Sequence, residues 1–320
     1  MNNKTKIAVV GCGYWGTNHA RTLSELGALS AVSDLNSDSV NQAAEKFNVP
    51  AKTLDEILAD EQIDGIVFAL PPHLHAQNAI LALEAGKHVL IEKPIALNTK
   101  DAQDVVDAAI TSGKVAMTGH ILRYHSAFEK MLAMFKAGDL GELQYIHSHR
   151  VGLGKFHPKN DALWDIAPHD LSLILAVTGE APTRIHGEGA AALNHLSDFA
   201  HLHLGFPSGV KAHVLTSRLN PYRERRLTLV GSKAMMSFDD ALPWDQKLAL
   251  YKHKIWQDDL GWQSEMVEPE FIAVEQSMPL TAELEDFINA IQTGATPKVT
   301  IQDGLEVVKI LEAGTVQHES

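Results

Sequence analysis

The sequence predicts an α/β protein in two parts: a doubly wound parallel sheet first, then an α/β domain with a large, open, mostly antiparallel sheet. Three observations carry that expectation. Up to about residue 122, apolar strand patterns alternate with helical ones. Beyond it, segments of period two follow one another without helices between them. A glycine turn, Gly11-Cys12-Gly13-Tyr14-Trp15-Gly16, joins the first strand to the first helix. The expected domains are 1–122 and 123–320, with the last helix able to pack back on the first domain.

In the first part the apolar runs Ile7–Val10, Leu29–Ser33, Gly65–Leu70, His88–Ile91 and Val115–Gly119 read as strands. Helical spacing over Trp15–Leu26, Ser37–Phe47, Thr53–Ala59, His73–Ala85 and Thr99–Thr111 supplies the crossovers, and Gly86 and Gly113 mark left-handed helix ends. The second part opens with a helix, Phe128–Lys136, and a strand, Leu143–His149. A loop over Gly152–Asp161 then precedes a helix at Leu171–Val177. Period two marks Thr183–Gly187, Phe199–Leu204, Val210–Thr216, Arg226–Val230, Ala234–Phe238 and Leu248–Tyr251, and the helices Thr281–Ile291 and Gln302–Glu312 follow.

With 320 residues, 45% of them hydrophobic, the chain can bury a sizeable core. A net charge of -13 argues against nucleic acid or an anionic membrane as the general partner, so an anionic ligand needs a local basic pocket. The amino terminus lacks a signal-peptide pattern and no apolar run reaches the length of a membrane span, so a cytoplasmic location is expected. The single Cys12 excludes an intrachain disulfide. No Cys/His spacing resembles a zinc site, and most of the seventeen histidines fall singly on strands and loops. No metal is expected.

Each glycine of the turn has its own task. Gly11 makes the tight turn, Gly13 lets the backbone approach a pyrophosphate, and Gly16 lets the helix pack closely, while the helix N-terminus offers N–H groups to an anion. Strand before, helix after and an acid at Asp34 make this a Rossmann dinucleotide fingerprint. Asp34 can accept from an adenosine ribose diol and repel a 2′-phosphate; Leu35 and Asn36 rather than Arg follow it, which favours NAD. The alternative is an Asp that caps the helix beginning at Ser37.

Three further clusters carry chemistry. Leu70-Pro71-Pro72-His73-Leu74-His75 ends the third strand, where His75 either lines the nicotinamide side or is a helix-terminal residue without a role. Glu92-Lys93-Pro94 ends the fourth, and proline there can fix Lys93 toward a cleft as a proton or hydrogen-bond donor to a substrate hydroxyl. In Trp164-Asp165-Ile166-Ala167-Pro168-His169-Asp170, Asp165 reads as a helix N-cap with Pro168 in the first turn, and His169 lies one turn on, on the same side. An imidazole there suits the proton transfer that oxidation of a secondary alcohol requires; the alternative is a capping Asp and a core His.

These residues resemble the Gfo/Idh/MocA oxidoreductases along nearly the whole chain, from the Gly11–Gly16 turn through Glu92-Lys93-Pro94 to Asp165 and His169. The resemblance implies a Rossmann domain, a substrate-binding domain whose open sheet forms an oligomer interface, NAD as cofactor, and Lys93, Asp165 and His169 as the catalytic set. Gly11, Gly13, Tyr14, Trp15, Gly16, Asp34, Leu35, Leu70, Pro71, His75, Glu92, Lys93, Arg123 and Trp164 become candidate cofactor contacts. Where many members carry glycines before the catalytic Asp, this chain has Asp161-Ala162-Leu163-Trp164. Gly13–Gly16, Gly119–Tyr124, Leu163-Trp164-Asp165 and Tyr222–Arg226 look like the nucleotide-sugar branch, which implies oxidation of the 3-hydroxyl of UDP-N-acetylglucosamine, coupling to a sugar aminotransferase for amide-linked lipid A of lipopolysaccharide, and a homodimer or homotetramer. Another sugar or cyclitol, such as a UDP-sugar uronate or inositol, and a non-catalytic dinucleotide sensor are the competing readings. Lys93, Tyr124, Arg150, Lys155, His169 and Arg223 are candidate substrate contacts; the basic members, with Lys159 and the rest of the Arg223–Arg226 cluster, either meet a diphosphate or decorate a strand or interface.

Overall fold

Runs such as Ile7–Val10 and Gly65–Phe68, with no polar side chain, suit strands buried on both faces, and both are fully buried. The computed structural model describes residues 4–154, 161–193 and 196–315. The chain divides into two compact units, 1–121 with 278–312 and 122–277 with 313–320.

In the first unit β1 (Ile7–Val10), β2 (Leu29–Ser33), β3 (Gly65–Phe68), β4 (His88–Glu92) and β5 (Ala116–Gly119) form a wholly parallel sheet in the order β2-β1-β3-β4-β5. The crossovers hold α1 (Tyr14–Glu25), α2 (Ser37–Phe47), α3 (Leu54–Ala59), α4 (His75–Glu84) and α5 (Thr99–Ser112). Outside β2 a single parallel bridge, Val32 to Ala51, stands where a sixth strand would lie. With it the order is the 3-2-1-4-5-6 of a dinucleotide-binding sheet. The bridge does not lengthen toward its start, since Pro50 has no N–H to add to the ladder. The order reverses between β1 and β3, and such sheets hold ligands outside the carboxyl ends of their strands at that point.

The second unit contains α6 (Ser126–Lys136), β6 (Leu143–Leu153), α7 (Ala162–Thr178), β7 (Arg184–Ala190), β8 (Phe199–Gly205), β9 (Lys211–Ser217), β10 (Leu219–Gly231), β11 (Met235–Asp239) and β12 (Leu248–Tyr251). A hairpin, β13 (Lys254–Asp258) with β14 (Gly261–Glu265), and a short β15 (Glu270–Phe271) complete it. Eight strands form one sheet in the order β15-β12-β11-β10-β6-β9-β8-β7, with every neighbouring pair antiparallel except β6 and β9. Alternation sends Ile146, Leu202, Leu204, Ala212 and Val214 to the buried face, on which α7 packs. His147, His149, His201, His203 and His213 take the other face. One sequence expectation needs correction here: these histidines do not stand singly, because strand register gathers them.

Helix α7 starts earlier than expected. Asp161, not Asp165, is its N-cap, the carboxylate accepting from the Trp164 N–H at 2.8 Å. Asp165 therefore sits in the first turn and Pro168 in the second, at the loss of one intrahelical bond.

The last two helices, α8 (Pro279–Thr293) and α9 (Ile301–Ala313), lie mainly with the parallel sheet. Glycines make room for them. A Cβ on Gly65 of β3 would come within 3.2 Å of Phe287 and Ile291, and one on Gly304 would strike Thr118 of β5.

A buried ion pair ties α7 to the sheet: Arg150 Nε and Nη2 donate to Asp170 Oδ2 and Oδ1 at 2.7 and 3.0 Å. Asp170→Ala should cost about 3–5 kcal/mol by stranding the guanidinium. Arg150→Met with Asp170→Leu should cost less than either single change, measured by urea unfolding.

Candidate active site

The carboxyl edge of the parallel sheet carries the glycine turn, Asp34, Leu70 and Glu92-Lys93. Gly11 has φ +99°, and a Cβ there would collide with the Ala69 carbonyl beyond β3. A Cβ on Gly16 would collide with the Gly11 carbonyl. Gly13 differs: its Cβ position meets nothing within 4 Å, so the backbone there is open to an approaching ligand. It is also the N-cap of α1, whose first turn has no acidic residue and, among the described residues, no side-chain cap. That cradle suits a pyrophosphate. Tyr14 and Trp15 of the same turn are exposed, their rings edge to face at 5.7 Å.

Asp34 does not cap α2; Asn36 does, accepting from the Ser39 N–H. Instead Asp34 Oδ2 accepts from the Cys12 N–H at 2.6 Å and Oδ1 from the Asn36 N–H at 2.8 Å. The carboxylate thus holds the glycine turn against the end of β2. Burial, and then the Asp34 charge, push the Cys12 thiol up to about 11, so it is not a nucleophile near neutral pH. Leu35 is 99% exposed beside it.

Leu70 is half-buried and Pro71 exposed at the end of β3. His75, at the start of α4, is buried and donates from Nδ1 to the Pro94 carbonyl at 2.7 Å. Burial lowers its pKa. The Lys93–Pro94 bond is cis. Glu92 accepts from Nε2 of the fully buried His19 at 2.8 Å and, through its other oxygen, from the Lys93 N–H at 3.2 Å. Burial pushes its pKa up, but the His19 hydrogen bond and the charges of His19, Lys93 and His75 bring it below the usual carboxylate range.

In the second unit Asp165 and His169 occupy one face of α7, four residues apart, both half-buried. Trp164 Nε1 donates to Thr315 Oγ1 at 3.1 Å. Arg123, in a short 3-10 turn with the buried Tyr124, donates to the Ser172 carbonyl of α7. Of the expected phosphate partners, Arg150 is buried with its charge matched by Asp170, which leaves little of it for a phosphate. Lys155 and Lys159 lie outside the described residues. The arginine cluster divides: Arg225 faces Asp240, Arg226 pairs with Glu224, and Arg223 is exposed above Gly152.

The oxidoreductase-family model with an NAD-binding Rossmann fold matches residues 5–120, and the model of the GFO/IDH/MocA C-terminal domain matches 128–237. The chain belongs to the Gfo/Idh/MocA oxidoreductases. It is an NAD-dependent dehydrogenase of that family. It is 28% identical over 312 residues to UDP-N-acetylglucosamine 3-dehydrogenase of Acidithiobacillus ferrooxidans, covering 96% of this chain and 94% of that one. A solved structure of that enzyme superposes with a TM-score of 0.83 at 27% identity, covering 97% and 96% of the two chains. Myo-inositol 2-dehydrogenase of Thermotoga maritima is 25% identical over 325 residues, 93% and 92% of the two chains. No helix among the described residues is long and apolar enough to cross a membrane.

Sequence reasoning missed two residues of this edge. His19 falls on the buried stripe of α1 with Gly16, Ala20 and Leu23, and a histidine in such a stripe needs a polar partner. Glu283 of α8 is fully buried, neither oxygen having a hydrogen-bond partner among the described residues. Burial first, then the Glu92 and Asp286 charges, raise its pKa well above the ordinary value. Such a group costs nothing below the unfolded carboxyl pKa and destabilises increasingly as pH rises toward the folded one. Glu283→Gln should therefore match the wild type in thermal midpoint near pH 4 and exceed it by a growing margin toward pH 8. Asp34→Ser with Leu35→Arg should shift the ratio of kcat/KM for NAD and NADP toward NADP by about tenfold or more, the size of one charge-assisted contact.

Proposed function

We propose that the chain oxidises the 3-hydroxyl of UDP-N-acetylglucosamine to the 3-keto sugar, feeding an aminotransferase that makes the 3-amino sugar for lipid A. The observation that carries this reading is similarity over 96% of the chain, through both units, to an enzyme named for that reaction. Lys93, Asp165 and His169 support it as chemistry. His169 takes the hydroxyl proton, a role suited to an imidazole near neutral pH, and Asp165 one turn earlier orients the ring. Lys93 donates a hydrogen bond to the same oxygen as negative charge develops on it. NAD, when bound, supplies the hydride acceptor. The first-turn N–H groups beyond Gly13 hold its pyrophosphate and Asp34 its ribose, with Leu35, Leu70, Pro71, Arg123 and Trp164 as further contacts. Arg223 meets the substrate diphosphate, with Tyr124 near the sugar. The second reading, a cyclitol substrate, draws on the similarity to myo-inositol 2-dehydrogenase.

Oxidation of an alcohol by NAD is uphill at neutral pH, so the test drains the product. With an aminotransferase and glutamate present, NADH should accumulate with UDP-N-acetylglucosamine and not with UDP-glucuronate or inositol. Turnover of either alternative without UDP-N-acetylglucosamine would overturn the substrate and leave the family intact. Lys93→Met should abolish turnover while calorimetry returns an unchanged NAD affinity. His169→Asn should lower kcat by about 10² to 10⁴-fold and remove the rise of rate with pH.

A further inference from the structure

The face of the second unit's sheet opposite α7 carries a histidine cluster that the proposed chemistry does not use. Residues 201 and 203 stand two apart on β8 and so share a face, and His203 lies directly across from His213 on the antiparallel β9. The rings of His201 and His213 stack at 4.8 Å and 14°, and those of His203 and His213 at 4.9 Å and 19°. His201 Nδ1 and His213 Nε2 approach to 2.6 Å, and one ring nitrogen of each of the three histidines lies within 4.8 Å of the other two. A histidine pair on one strand with a third opposite it is a minimal way for a sheet to converge three imidazoles on one point.

We propose that His201, His203 and His213 form a binding site for a divalent late first-row transition ion such as Zn²⁺. Zinc–nitrogen bonds of about 2.0–2.1 Å place tetrahedral ligands about 3.3–3.4 Å apart, within reach of these rings by side-chain rotation. Imidazole donors select Zn²⁺, Co²⁺, Ni²⁺ or Cu²⁺ and not Mg²⁺ or Ca²⁺, which take oxygen ligands. His147, next to His213 on β6, and His186, next to His203 on β7, continue the row, and the His186 ring meets Glu188 at 3.1 Å. That surround can orient the ligands. His203 is exposed beside a groove of about 650 Å³ that Tyr145, Arg184 and Lys211 also line, so the fourth position opens to water.

The test uses the full-length, tag-free chain, stripped with a chelator and dialysed. Calorimetry with Zn²⁺ should show one tight equivalent per chain, and Mg²⁺ none. Co²⁺ should produce visible d–d bands typical of tetrahedral coordination. His203→Gln, at an exposed position that leaves folding intact, and His213→Gln should each weaken Zn²⁺ binding by about tenfold or more and abolish the Co²⁺ bands. NAD affinity, which reports the folded first unit, should not change. Less than one equivalent of Zn²⁺ on the wild type, or unchanged binding by His203→Gln, would overturn the site.

Discussion

The carboxyl edge of the parallel sheet depends on one steric constraint, the absence of a side chain at residues 11 and 16. A Cβ at either position would enter a backbone carbonyl, Ala69 in the first case and Gly11 in the second. Because α1 can therefore rest on the turn itself, His19 reaches Glu92 on β4, and Glu92 in turn holds the Lys93 N–H. From the other side, His75 at the start of α4 fastens the Pro94 carbonyl. Lys93 is thus set between two hydrogen-bonded anchors, each carried by a helix whose seat on the sheet is fixed elsewhere.

The charges along this edge follow from the same burial. Burial opposes the ionisation of both Glu92 and Glu283. Their partners settle which one ionises: the His19 hydrogen bond and the Lys93 charge bring the Glu92 pKa below the usual carboxylate range, whereas the Glu92 and Asp286 charges raise that of Glu283 further. In the second unit Asp170 pairs with Arg150 and anchors α7 one residue after His169.

Local patterns in the sequence were readable where local physics decides them. Ile7–Val10, Leu29–Ser33, Ser37–Phe47 and Leu248–Tyr251 begin and end as the apolar periods predict, and the glycine turn and Asp165/His169 spacing are likewise local. What depends on distant partners was not legible. Asp161 outcompetes Asp165 as a cap because its carboxylate reaches the Trp164 N–H, a choice between two equally plausible acids. Asp34 is claimed by the Cys12 N–H, so Asn36 caps α2. Arg150 looked like a phosphate partner until Asp170, twenty residues on, proved to be beside it. Strand register is the most distant signal of all. The order β10-β6-β9-β8-β7, with β6 and β9 parallel, turns scattered histidines into a cluster, and no periodicity within a strand encodes that order.

In the proposed reaction a carbon-bound hydrogen of the sugar leaves as hydride while His169 takes the hydroxyl proton. The direct measurement is transfer of isotope from UDP-N-acetylglucosamine deuterated at C3, incubated with the enzyme, NAD and the draining aminotransferase. Mass spectrometry of the recovered NADH should find one deuterium per molecule, and the water should gain none. NADH without deuterium, or deuterium released to water, would contradict the account.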